Sequence, residues 1–404
     1  MWQCGDEISD TLSDCSARIR WVDRSPELDD ALQDLSEELG CRLVVLDAGM
    51  RAVAWSIHES PEDRRRLAHL LTHSDSWERP RTSRTPQQVI EIPGVGPLLF
   101  TRLVDARRQI VGHLVLPSTG SPPPELGHAT ERLAALLQAR QQNAAGRSAR
   151  AHELTVDLVA GDAPVRARAA EALIAERFLS SSASYCAVAL GVDPRTAAPS
   201  DHEKAGQAVA RTLGFVRETS TATVVGGVLD NQVGVLIFPR PVVVPRLVRI
   251  LADPQVTPVR AGVGTLMALE EAPRSFEQAR LAWRASWLAP RDHGTVTTWD
   301  AAGLDATLAR MPLESFTRAD LPPVVRDLLG AVDSPDLIAT LTAYLDAGGD
   351  ARRTAGELGI HRSTLYYRLD KMRSVIAGDL ADGAVRAELH TGLRMARLAG
   401  LLPG

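Results

Sequence analysis

The densest run of chemically capable side chains is 352–372, RRTAGELGIHRSTLYYRLDKM. Guanidinium, ammonium, phenol and hydroxyl groups crowd together there. Within 352–373, six residues are basic and two are acidic. Such groups donate hydrogen bonds to phosphate oxygens, and an arginine can grip the edge of guanine in a bidentate manner. The whole chain of 404 residues is net acidic at −5, yet 351–404 balances at +4 and leaves 1–350 at −9. A basic patch on an acidic body suits a tethered polyanion-binding module, because attraction to phosphate is screened beyond about 8 Å at physiological salt.

Two short helices meeting at a tight corner would position these groups. Asp350, after Gly348 and Gly349, is placed to cap the first helix. Ala355 and Leu358 lie three apart on one face, and the small Ala355 lets a second helix approach. Gly359 supplies the backbone freedom for the turn, and Ile360 plugs the corner. Ser363 or His361 opens the second helix, whose core face is Leu365, Leu369 and Met372 at i, i+4 and i+7. With that face buried, Ser363 and Tyr367 point most directly outward, beside Thr364, Asp370 and Lys371, with Arg362, Tyr366 and Arg368 on the flanks.

Residues at the start of such a second helix usually reach base edges. Arg362 and Ser363 are therefore expected at bases, and Thr364, Tyr367, Arg368 and Lys371 at phosphates. Arg352 and Arg353 of the first helix complete the expected DNA-binding set. The competing reading is a helical hairpin whose charged face is only solvated, and Glu357 and Asp370 speak for it.

The run 337–345 (LIATLTAYL), then TAGELGIHRSTLYYRLDKM, then 380–398 resembles the C-terminal helix-turn-helix of PucR/CdaR-type bacterial transcription regulators. His361-Arg362-x-Thr364-Leu365-x-Tyr367-Arg368-Leu369 is its most specific part. Trp299-Asp300 with Gly303-Leu304 is similar to the stretch that precedes that module. Such proteins commonly carry Asn where this chain has Ser363, so no base preference transfers.

The middle of the chain resembles the degenerate GGDEF-like domain of the same family, through Gly262-Val263-Gly264 followed by Ser275-Phe276-x-x-Ala279-Arg280. An active cyclase of that kind needs carboxylates to hold Mg²⁺. Here Gly226-Gly227 is followed by Val228-Leu229, and the strand 187–190 has no Asp, with only Asp193 nearby. No catalysis is expected.

The remaining elements follow from periodicity and punctuation. Pro-rich 118–124 reads as a linker, 143–148 as a polar break in helical sequence, and 321–323 as the entry to the last helical block. Before the linker, a helix over 28–39, strands over 43–46 and 52–57, and a hairpin of 98–104 with 109–116 suggest a small sensor of the GAF or PAS kind. The stretch 125–160 is mostly helical. In the middle, strands are expected at 185–190, 223–228, 233–238 and 260–264, with helices at 163–178, 202–213 and 275–286, giving a mostly antiparallel sheet covered by helices. After 295 only helices are expected, near 304–310, 324–329, 336–346, 352–358, 363–376 and 385–401.

Other chemistries find little support. Cys4, Cys15, Cys41 and Cys186 lack metal-ligand spacing and read as reduced thiols. His69 and His73 are four apart and, with His58, form the only histidine grouping, near Asp75 and Glu78. No obvious ligand set is completed there, so no metal and no cofactor are expected. No G-x-S-x-G, Walker A or dinucleotide fingerprint occurs. Trp283 and Trp287 read as packing residues, and Trp55 as core or pocket lining. No apolar run could cross a bilayer, and 1–14 lacks the layout of a secretory signal, so a cytoplasmic location is expected.

The expected fold is multidomain, α/β plus all-α. It comprises a GAF/PAS-like α+β sensor over 1–120, a helical linker over 121–165, a degenerate GGDEF-like α/β domain over 166–295 and a helix-turn-helix domain over 296–404. The expected function is a one-component regulator that binds operator DNA as a homodimer or higher homo-oligomer, modulated by a small-molecule effector of unknown identity. The alternative is a non-catalytic nucleotide-binding signalling protein whose terminal helices bind a protein partner.

Overall fold

The computed structural model describes residues 25–56, 86–92, 96–118, 126–201, 203–230, 232–332, 334–376 and 378–402. The chain divides into two compact units, 1–149 and 150–404. The histidine grouping 58–73 and most of the 118–124 linker lie outside the described residues.

In the first unit, helix α1 (Pro26–Leu39) precedes strands β1 (Val44–Asp47), β2 (Ala52–Trp55), β3 (Gln87–Ile92), β4 (Gly96–Val104) and β5 (Ile110–Pro117). The strands form one antiparallel sheet in the order β2-β1-β5-β4-β3. Alternation puts Val45, Leu99 and Leu114 on one face, where they pack with Leu28, Leu32 and Leu35 of α1. Val44, Leu46, Phe100 and Val115 make a second apolar cluster, joined by a half-buried Trp55.

The helix α2 (Leu126–Ala160) gives Leu133 and Leu137 to the first of these clusters. It runs through 143–148 without interruption, contrary to the expected break. Gly146 meets nothing that a side chain would touch. One solvated glycine costs a helix about 1 kcal/mol, which the surrounding alanine and arginine propensities absorb.

The second unit contains α3 (Ala163–Ala175), β6 (Cys186–Gly191), α4 (Lys204–Thr219), β7 (Val225–Leu229), β8 (Val233–Phe238), α5 (Val244–Leu251), β9 (Arg260–Val263), α6 (Ala272–Leu288) and β10 (Val296–Thr298). The strand order is β10-β9-β6-β8-β7, and only the β10–β9 pairing is parallel. Strand β10 corrects the expectation of helices alone after 295. Three residues carry too short a pattern to be read, and their extended form comes from pairing with β9.

Glycines let helices lie against this sheet. A Cβ at Gly262 would fall 1.9 Å from the Ala279 carbonyl oxygen, so α6 crosses β9 in backbone contact. Gly226 faces Val209 of α4, while Gly227 faces His152 and Val156 of α2. Trp283 anchors α6 by donating from Nε1 to the Gly191 carbonyl at 3.1 Å. Cys41 and Cys186 are free thiols, and burial pushes the Cys186 thiol up to about 11.

Beyond β10 come α7 (Trp299–Ala302), α8 (Leu304–Leu308), α9 (Pro323–Ala331), α10 (Pro335–Asp346), α11 (Ala351–Glu357), α12 (Arg362–Arg373) and α13 (Gly383–Leu398). Their shared core joins Leu281, Ala285 and Leu288 of α6 to Val325, Leu341, Leu365, Leu369 and Leu393. Helix α6 thus serves the sheet with one face and the helical block with another. Among the described residues no helix is long and apolar enough to cross a membrane.

Candidate nucleic-acid interface

Helices α10, α11 and α12 pack on one another, with α13 behind α10. Local sequence sets the start of each helix. The Asp350 carboxylate accepts from the Arg352 and Arg353 amides at 2.8 and 3.1 Å, opening α11. These backbone donors hold its carboxyl below the usual carboxylate value. Thr354 is buried and donates its hydroxyl to the Asp350 carbonyl at 2.7 Å.

The corner forms as the residue types require. Gly359 has φ +61°, a left-handed conformation that costs other residues about 1 kcal/mol or more. The Ile360 amide donates back to Ala355 and the Gly359 amide to Gly356, at 3.0 and 3.3 Å. This double closure ends α11 and leaves Ile360 half-buried against the helical core. His361, not Ser363, caps α12: its Nδ1 accepts from the Ser363 amide at 3.3 Å and lies 2.8 Å from the Ser363 hydroxyl.

Leu365, Leu369 and Met372 are fully buried, as their spacing predicts, and Ala355 is buried opposite them. Leu358 is only half-buried. Arg362, Ser363, Thr364, Tyr366, Tyr367 and Lys371 are exposed along α12, and Arg352 and Arg353 along α11. Tyr367 is 61% exposed, and the Lys371 ammonium sits 5.1 Å from its ring centroid. That contact stiffens two long side chains on one outward face.

The cations differ in availability. Arg353 pairs with Glu357 at 2.7 Å, and Arg373 with Asp370 at 2.9 Å. Both pairs are surface pairs, easily given up to a stronger anion. No ion pair within the described residues engages Arg352, Arg362 or Lys371. Arg368 behaves otherwise. It is half-buried, donates to the Thr340 hydroxyl at 3.0 Å and approaches Asp336 at 3.9 Å. Its guanidinium ties α12 to α10. A helical wheel places Arg368 on the flank, but only the position of α10 reveals which way it turns.

Sequence reasoning missed one charged cluster entirely. Asp305, 1% exposed, accepts from Nε and Nη2 of the Arg394 guanidinium and lies 2.8 Å from His293 Nε2. Burial alone would raise its carboxyl, but the hydrogen bonds from His293 and Arg394 hold it below the usual value. The three residues are far apart in sequence, and no spacing signals them. In the loop after β6, Asp193 is likewise occupied, gripped by the Arg195 guanidinium at 2.7 to 3.2 Å.

Comparison with known proteins bears on the same helices. Residues 337–395 match the family described as the PucR C-terminal helix-turn-helix domain. The chain is 27% identical over 135 residues to the purine catabolism regulatory protein of Bacillus subtilis (strain 168), covering 32% of this chain and 24% of that protein. It is 30% identical over 132 residues to the transcriptional activator PmfR of Paenarthrobacter nicotinovorans, covering 31% of this chain and 26% of that protein. The chain thus spans about a quarter of the length of the curated relatives it matches. A crystal structure of a regulator of polyketide synthase expression from Bifidobacterium adolescentis aligns at 18% identity with a TM-score of 0.27, covering 62% of this chain and 98% of that one.

Proposed function

We propose, on the premise that residues 337–395 are a PucR-type helix-turn-helix domain, that this chain is a cytoplasmic, non-enzymatic transcription regulator that binds operator DNA through α12. The observation that carries the reading is the outward face of α12, where Arg362 and Lys371 stand exposed with no ion-pair partner among the described residues, on a helix whose other face is fully packed. Arg362 and Ser363, at the start of α12, reach base edges in the major groove. Thr364, Tyr367, Lys371, Arg352 and Arg353 contact phosphates. Arg368 braces α12 in place from within the domain instead of touching DNA.

One such helix covers few base pairs, so two copies reading a two-fold site supply the specificity. The first unit is a GAF/PAS-like sensor, a role that its single five-stranded antiparallel sheet with α1 on one face supports. The sheet of the second unit belongs to a degenerate GGDEF-like domain, and because β10 is part of that sheet the boundary with the helix-turn-helix domain moves from 295 to after Thr298. Its Val228-Leu229 in place of acidic residues and its occupied Asp193 support a non-catalytic role. A small-molecule effector would act by favouring one spacing of the two recognition helices.

The test is binding of the full chain to its own upstream DNA at two salt concentrations, beside an Arg362→Ala/Lys371→Ala variant. Wild-type affinity should fall steeply with salt. The variant should bind roughly thirtyfold more weakly, with a salt slope shallower by about one for each phosphate it no longer neutralises. Equal binding by the two proteins would remove α12 from the interface.

A further inference from the structure

A partly open cleft lies in the second unit, at the end of the sheet where β7 begins and β8 ends. Phe215 and Val216 of α4 line one wall, Leu247 and Ile250 of α5 another, and Phe238 of β8 lies between them. Most of the lining is apolar, and the Thr212 and Thr219 hydroxyls are already committed to the Ala208 and Phe215 carbonyls at 2.8 and 2.7 Å.

Charge enters this lining with one sign. Arg240 and Arg246 both contribute to the cleft, and no carboxylate does. Arg240 donates to the Ser220 hydroxyl, which steadies its guanidinium, and the Arg246 guanidinium has no ion-pair or hydrogen-bond partner among the described residues. Two exposed cations beside a partly open apolar surface define a ligand with an apolar body and one anionic end. A neutral hydrocarbon would gain nothing from the guanidinium groups, and a compact polyanion would leave the apolar walls wet. A carboxylate matches the planar donor fork of arginine.

We infer that this cleft binds an amphipathic monocarboxylate, with its carboxylate between Arg240 and Arg246 and its aliphatic or aromatic body against Phe215, Val216, Phe238 and Leu247. The inference does not rest on DNA binding, because occupancy can be read with no DNA present. A change in operator affinity on adding the acid would make the same ligand the effector.

Calorimetric titration of the full chain with decanoate and with naphthoate, beside decanol and naphthol as uncharged counterparts, tests it. One acid should bind saturably at one per chain, roughly tenfold or more tighter than its alcohol, and the preferred acid identifies the body as aliphatic or aromatic. An Arg240→Gln/Arg246→Gln variant should bind acid and alcohol alike. Ala222→Trp, which fills the cleft from its loop wall, should weaken both by roughly tenfold or more, with thermal unfolding confirming that each variant folds. Equal binding of acid and alcohol by the wild type, undiminished acid binding in the folded double-arginine variant, or no saturable binding of either acid would overturn the assignment.

Discussion

The second unit uses arginine in two opposite ways, on the outer face of α11–α12 and inside the cluster around Asp305. On α12, Arg362 is exposed, with no ion pair among the described residues, on a backbone held by capping and by a buried apolar face. Around Asp305, Arg394 gives up two donors to a carboxylate that water cannot reach, and His293 closes the other side. The same side-chain type is available to a ligand in the first place and consumed by the fold in the second. Charge counted from composition cannot separate the two roles, because pairing is a property of neighbours in space.

Removing a charge should therefore cost folding in one region and binding in the other. The largest effect is expected at Asp305→Ala, which strands the Arg394 and His293 side chains. Unfolding in denaturant should show a loss of about 3 kcal/mol, the cost of breaking a buried pair from one side. An unchanged midpoint would mean that the cluster does not stabilise the fold. Acid adds a second readout. The Asp305 carboxyl is held below its ordinary value of 3.8 in the folded chain. Its contribution is fully present above that ordinary value and is lost as pH falls through the lowered one. Wild-type stability should consequently drop on acidification below about pH 4 more steeply than that of Asp305→Asn.

Arg368 stands between the two regions and sharpens the contrast. Arg368→Ala should lose about 1 kcal/mol of stability with the Thr340 hydrogen bond. The salt slope of DNA binding should stay at the wild-type value. A shallower slope with unchanged stability would return Arg368 to the phosphate-contacting set. The smallest effect is expected at Glu357→Gln, which frees Arg353 from its surface partner. The unfolding midpoint should not move measurably, since exposed pairs contribute little, while affinity for DNA should rise by a small factor. Weaker DNA binding would show that Glu357 positions Arg353 rather than competing for it.

Legibility followed the range of the interactions involved. The Asp350 cap, the Gly359 turn and the Leu365–Leu369–Met372 stripe were readable because each depends on residues within one or two helical turns. Strands β4, β5 and β8 were readable because short, mostly apolar runs are bounded there by turn residues. Strand β10 and helix α5 were not. Val296–Thr298 is extended only through its parallel pairing with β9. Val244–Leu251 begins with β-branched residues and Pro245, a strand-like composition, and becomes a helix with Leu247 and Leu251 buried beneath it. The helix break expected at 143–148 failed for the converse reason, since a polar stretch with one glycine still propagates a helix already nucleated on both sides.

The sequence by itself determined the two-helix corner, its buried stripe and the sign of charge on its outer face, because caps, turns and periodicity act through neighbouring residues. Tertiary structure decided which arginines of α11 and α12 lack an ion pair among the described residues, that Asp193 and Asp305 are occupied, and that α4, α5 and the sheet end line a partly open cleft with two guanidinium groups. These depend on side chains brought together from positions tens of residues apart, and a hydrogen bond or a cavity between such partners leaves no local pattern to read.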